Sequence, residues 1–207
     1  MVEISFSSLL MTDLFSALER HRATISQSTM RDVVRTAFAA IEGTVWIFRQ
    51  HVVDAARSTY GLQPAEEAAL AEKTFGVSDK GRISEQTRYI PMTHVIRLTA
   101  RIGNRLAPSA SIDFSGADWD NLRSALSIRN RITHPKSADD LRLTESDVEY
   151  CMAALTWLAD ETTTMMEAAN LAIHDYLGEL RDVMQKLSQG DAETLALYES
   201  ASGKIED

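Results

Sequence analysis

The chain has 207 residues and is 44% apolar, enough material to bury a core without disulfide or metal staples. Nine Gly and four Pro are too few for an all-β or a disordered chain. With 30 acidic against 21 basic residues and a net charge of −9, a protein that coats nucleic acid through broad electrostatics is excluded, whereas an enzyme with a small local basic patch is not.

The single cysteine, Cys151, lies among apolar residues. It excludes an internal disulfide and a cysteine-based zinc site, and it fits a reduced compartment. The opening MVEISFSSLLMTDLFSALER lacks a basic lead, and Glu3 and Asp13 flank its short apolar run, so no secretory signal is expected. No stretch approaches the ~20 apolar residues that span a bilayer. The expectation is a cytoplasmic protein with no membrane partner.

In chain order, Leu9, Leu10, Leu14 and Leu18 predict a first helix over residues 6–22. A stronger helix is expected from about Thr29 to Thr59, with Val34, Phe38, Ile41, Val45, Phe48 and Val52 as its packed seam. Arg35, Glu42 and Arg49 repeat every seven residues beside that seam and form a charged stripe. Gly61 should stop this helix, and Pro64 suits the first turn of a short one over Ala65–Lys73. Gly76–Gly81 reads as a loop, and Ser84 as a cap for a segment that Pro91 interrupts.

Val95, Leu98, Ile102 and Leu106 then predict a helix from Met92, followed by a connector over residues 107–116. Ser115 and Asp118 have capping-box spacing ahead of Trp119, Leu122, Leu126 and Ile132. That helix must end near His134, because Pro135 follows and pushes its predecessor out of the α region. Thr144 and Asp147 repeat the capping pattern and open a long helix through Leu187, with a bend expected near Thr162–Thr164. Trp46, Trp119, Trp157 and Met165–Met166 read as core, and residues 189–207 as a fraying polar tail. No segment alternates with period two and no repeat is visible. The fold class is therefore all-α: a single domain over residues 1–207, built as a bundle of five to seven helices.

The common site motifs are missing. There is no Gly-rich loop ending in Lys-Ser/Thr, no Gly-x-Ser-x-Gly elbow and no His-Glu-x-x-His pair. The five histidines are scattered, so neither a metal nor another cofactor is expected. Residues 121–138 stand out instead. They hold Arg123, Arg129, Arg131 and Lys136 with no acidic residue, a local anion-attracting run in an acidic chain. The run ends in Arg129, Asn130 and His134 at the predicted helix break.

This ending resembles the motif of the HEPN superfamily (higher eukaryotes and prokaryotes nucleotide-binding): an Arg, commonly followed by Asn, Asp or His, then a His four to six residues after the Arg. Arg129-Asn130-Arg131-Ile132-Thr133-His134 fits it. Arg88…His94 also fits the bare spacing, but Pro91 breaks the helix that should hold the pair, and Tyr89 replaces the polar neighbour. The resemblance implies an all-α bundle with a core at about residues 30–188, and a homodimer with the two motifs facing each other across a cleft. It also implies metal-independent RNA cleavage leaving a 2′,3′-cyclic phosphate.

The residue chemistry suits that activity. Histidine, with an unperturbed pKa of roughly 6.5, moves protons near neutrality; Arg129 offers a planar fork to phosphate oxygens; Asn130 orients the phosphate or the imidazole. Five helical positions separate Arg129 and His134 by about 500°, leaving their side chains roughly 140° apart. The helix break at Pro135 or a symmetric dimer must bring such groups together. Arg123, Arg131 and Lys136 are candidate substrate-binding residues. Glu42 is a candidate support, lying beside the site or simply paired with Arg35 or Arg49. In HEPN toxins paired with a minimal nucleotidyltransferase, a Tyr two residues after the His receives a regulatory nucleotide. Lys136 occupies that position here, and control by such modification is not implied.

Two functional classes stay open. One is an endoribonuclease, a toxin or antiphage defence effector with RNA as substrate and an antitoxin or regulatory protein as partner. The other is a catalytically inactive HEPN-like module for dimerisation or nucleotide or protein binding. A small-molecule enzyme is a distant third.

Overall fold

The computed structural model describes residues 5–202. Glu3 and the tail residues 203–207 lie outside the described residues. The described residues form an all-α bundle with one small hairpin. Its elements are helices α1 (Phe6–Ala23), α2 (Gln27–Ser58) and α3 (Pro64–Leu70), strands β1 (Lys73–Val77) and β2 (Ile83–Thr87), then α4 (Met92–Leu106), α5 (Ala117–Thr133), a 3-10 turn (Asp139–Leu141), α6 (Glu145–Ser188) and α7 (Ala192–Ser202). None of the described helices is long and apolar enough to cross a membrane.

Helix α2 starts where Ser26 and Thr29 form a reciprocal capping box, which satisfies two N–H groups that the first turn leaves free. Its seam residues Val34, Phe38, Ile41, Val45, Phe48 and Val52 are all buried. Gly61 closes its end at φ +77, with its N–H donating to the Ala56 carbonyl at 2.7 Å; a side chain there would be strained. The Thr144–Asp147 capping box opens α6 as predicted. At 44 residues this helix is about 66 Å long. It packs along α2 and continues past it, with Tyr60 and Tyr176 in contact near the end of the pair.

One buried cluster joins α1, α2, α4, α5 and α6 through Leu14, Ile41, Ile96, Leu122 and Leu158. A second, around Phe48, Val52, Leu70, Ile102 and Met165, ties α3 and the rest of α4 to the far half of α2. Gly103 permits the close approach of α4 to α6, since an added Cβ would lie 2.5 Å from Met165 Sδ. Cys151 is buried and free, and burial, followed by the nearby Asp147 charge, pushes its thiol up to about 12. It is a packing residue, not a nucleophile.

The fold corrects several sequence expectations. Residues 73–87 form an antiparallel hairpin with Phe75 opposite Glu85 and Val77 opposite Ile83. Gly76 and Val77 therefore belong to a strand, only residues 78–82 turn, and Ser84 donates to the Gly76 carbonyl instead of capping a helix. Two-residue alternation arises from burying one face of a strand. Every β2 residue is exposed, and β1 half-buries Thr74 and Gly76 while leaving Phe75 and Val77 exposed, so no apolar face marks either strand.

Gly116, not Ser115, is the N-cap of α5; Ser115 donates to the Asp113 carboxylate from both its N–H and its hydroxyl. Helix α6 runs unbroken through Thr162 and Thr164, whose hydroxyls donate to the carbonyls of Leu158 and Asp160 within the helix. Residues 192–202 form α7 where a frayed tail was expected. Trp46 is not core: it is 50% exposed, with Phe6 packed edge-on against it.

Glu66 is 6% exposed, and both its oxygens accept from Arg105, at 2.7 and 2.9 Å. This pair fastens α3 to α4. The Arg105 hydrogen bonds, outweighing desolvation, hold the Glu66 carboxyl below its usual value of 4.5. A lowered folded-state pKa gives stability that is present above 4.5 and is lost as pH falls through the folded value. Urea titrations should therefore show Glu66→Gln less stable than wild type at neutral pH. The gap should close in acid below 4.5; a gap independent of pH would contradict this linkage.

Candidate functional site

The last turns of α5 are set by Ile128 and Ile132, which are buried against the bundle. Their spacing turns Arg129, Asn130 and Thr133 outward. The chain leaves the helix at His134, whose φ and ψ are −125° and 59° and whose N–H still donates to the Asn130 carbonyl at 3.0 Å. Pro135 enforces that exit.

Arg129 Nη2 donates to Glu42 Oε1 at 2.8 Å, and Nη1 to Asn130 Oδ1 at 3.2 Å. The guanidinium and the carboxylate are 34% and 46% exposed. Such a pair is worth at most about 1 kcal/mol; its consequence is orientation. Glu42 therefore lies beside the motif and pairs with neither Arg35 nor Arg49. The charged stripe of α2 divides: Glu42 meets α5, Arg49 donates to the Leu70 carbonyl at 3.3 Å, and Arg35 is exposed. Among the described residues the His134 ring and the Lys136 ammonium have no hydrogen-bond or ion-pair partner.

The other basic residues are engaged. Arg131 Nη1 donates to the Arg142 carbonyl at 2.7 Å, and its Nη2 lies 3.4 Å from Asp147 at the start of α6. Together with Arg31 on the Leu141 carbonyl and the Gln27 amide on both backbone groups of Leu143, it fixes the connector after the motif. Asp140 accepts the N–H groups of Lys136 and Ser137, which lower its carboxyl pKa with a smaller contribution from Arg131. This leaves the Lys136 side chain at the surface on a fixed backbone. Arg123 pairs with Asp120 at 3.2 Å, six residues and about 9 Å back along α5.

The basic run is thus clustered in sequence but largely paired in space. Its acidic partners come from α2, the first turns of α5 and the start of α6. The structure unites Arg129, Asn130 and Glu42, sets His134 and Lys136 at the same helix end, and gives Arg131 a structural task. Trp46, overlooked as core, lies one turn from Glu42 on the same face of α2. An exposed aromatic beside a charged residue was legible only through the placement of α1. Among the described residues no set of three His, Cys, Asp or Glu side chains is arranged to hold a metal ion.

Compared with known protein families, curated proteins and solved structures, the chain matches none.

Two substitutions separate the roles of neighbouring arginines. Arg131→Ala should lower unfolding free energy by about 1–3 kcal/mol through the lost connector bonds, whereas Arg129→Ala should stay within about 1 kcal/mol of wild type. Denaturant titration checks both, and equal losses would contradict the division.

Proposed function

We propose that the protein is a metal-independent endoribonuclease of HEPN type, acting at Arg129, Asn130 and His134 in a homodimer. The observation that carries this reading is the pairing of an Arg129 fork oriented by Glu42 and Asn130 with an unpaired His134 ring at the same helix end.

In the proposed reaction an imidazole takes the proton of a ribose 2′-hydroxyl, and that oxygen attacks the adjacent phosphorus. The P–O5′ bond breaks, the leaving oxygen takes a proton from a second imidazole, and a 2′,3′-cyclic phosphate remains. The His134 rings of two protomers supply one base and one acid. Arg129 neutralises the phosphorane oxygens as charge accumulates. Lys136 attracts the flanking phosphate, and the exposed Trp46 indole offers a surface on which a base can stack.

An RNA-cutting activity of this kind fits a cytoplasmic toxin or antiphage effector held in check by an antitoxin or other protein. The chain's net charge of −9 favours a basic regulator. One observation favours the second reading, a catalytically silent association module: Leu177, Leu180 and Met184 follow heptad-like spacing along α6 and are each at least 44% exposed.

Purified protein incubated with total tRNA and labelled single-stranded RNA in excess chelator tests the proposal. Wild type should cut and leave cyclic phosphate ends. His134→Ala should lose about 10²–10⁴-fold in rate, Arg129→Ala should lose activity comparably, and Arg88→Ala should retain it. A folded wild type that cuts none of these RNAs would hand the reading to the association module.

A further inference from the structure

A second place on the surface has the parts of a ligand site, and the α5 motif contributes nothing to it. A cavity of about 570 Å³ opens between α3, the hairpin and the start of α4, within the usual size range of small-molecule sites. Ala65, Ala68 and Ala69 follow helical spacing on α3 and give it a low apolar floor, extended by Ile90. Arg88, Tyr89 and His94 also line it. The Arg88 guanidinium and the His94 imidazole have no hydrogen-bond or ion-pair partner among the described residues.

The connector that carries these groups is held firmly. Glu72 takes φ +55, the one positive value for a non-glycine among the described residues. Its carbonyl accepts the Arg88 N–H at 2.8 Å, and its carboxylate accepts the Ile90 N–H at 3.1 Å. One oxygen of the acid on the cavity wall is thereby engaged by the backbone. Lys73, also on the wall, is paired with Glu85 at 3.0 Å, so Arg88 is the cation left for an incoming anion. The Arg-x5-His spacing at residues 88–94, unsuited to a helix because of Pro91, brings its two side chains to one cavity across a bent connector.

We propose that this cavity binds a small phosphomonoester with a flat organic body. Arg88 and His94 donate to the phosphate, and the body lies over the alanine floor beside Tyr89. The forked guanidinium matches phosphate oxygens. Three alanines leave a depression that larger side chains on α3 would fill. The site is separate from Arg129 and His134 and stands whether or not RNA is cut there.

Calorimetric titration of the full chain with adenosine 5′-monophosphate, adenosine and inorganic phosphate tests it. The nucleotide should bind more tightly than either fragment. Arg88→Ala should weaken it about tenfold or more, and Ala68→Trp, which fills the floor, should weaken it without lowering Tm. Arg129→Ala should bind as wild type does. No binding of the nucleotide by wild type would overturn the proposal. So would adenosine or phosphate binding as tightly as the nucleotide, or binding unchanged in both Arg88→Ala and Ala68→Trp.

Discussion

Helices α1, α4, α5 and α6 all pack on α2, and the burial of α2 constrains everything else in the bundle. Its buried residues, from Met30 to Ala56, occupy several faces, and the longest helix, α6, runs along it. Midway along α2, a strip carrying Arg35, Ala39, Glu42 and Trp46 stays at the surface. Polar contacts tie α2 to Arg20 of α1 through Asp32 and to Glu67 of α3 through Arg57, and another forms midway along the exposed strip. Helix α5 supplies the partner there, and the contact is Glu42 with Arg129.

Charge organisation follows from the same packing. At about 100° per residue, Arg123, Arg129 and Arg131 point to different sides of α5. In the bundle each meets a carboxylate, from Asp120, Glu42 and Asp147 respectively. The pairs differ in consequence. Arg131 also holds the carbonyl of a connector and shapes the backbone after the motif, whereas the Arg129 pair is exposed enough that water screens most of its energy. A phosphate could compete with Glu42 for Arg129 at little cost, while Arg131 could not be recruited without loosening residues 139–144. This difference, more than the number of basic residues, separates a group available for chemistry from one that builds the site.

The legible parts of the fold were those with a period or a cap. The α2 seam, the Thr144–Asp147 box and the break before Pro135 all state their structure locally. The hairpin did not, because neither of its faces is buried. Ser115 misled because its N–H and hydroxyl turn back to donate to the Asp113 carboxylate, leaving Gly116 as the cap. Trp46 misled because apolar character alone does not say whether a neighbour covers it. At the site, Arg129, Asn130 and His134 could be named from spacing. The choice of Glu42 between α2 partners and the motif could not, since it depends on how α2 and α5 are set side by side. The structural task of Arg131, a substrate-binding candidate by sequence, was hidden for the same reason.

The proposed function rests on one step, the removal of a proton from a ribose 2′-hydroxyl by His134. The measurement that addresses it most directly is cleavage of two strands of one sequence, one of ribonucleotides and one lacking every 2′-hydroxyl. Wild type should cut only the first and leave cyclic phosphate ends. Comparable cutting of the second strand would contradict it, because no nucleophile of the proposed kind exists there.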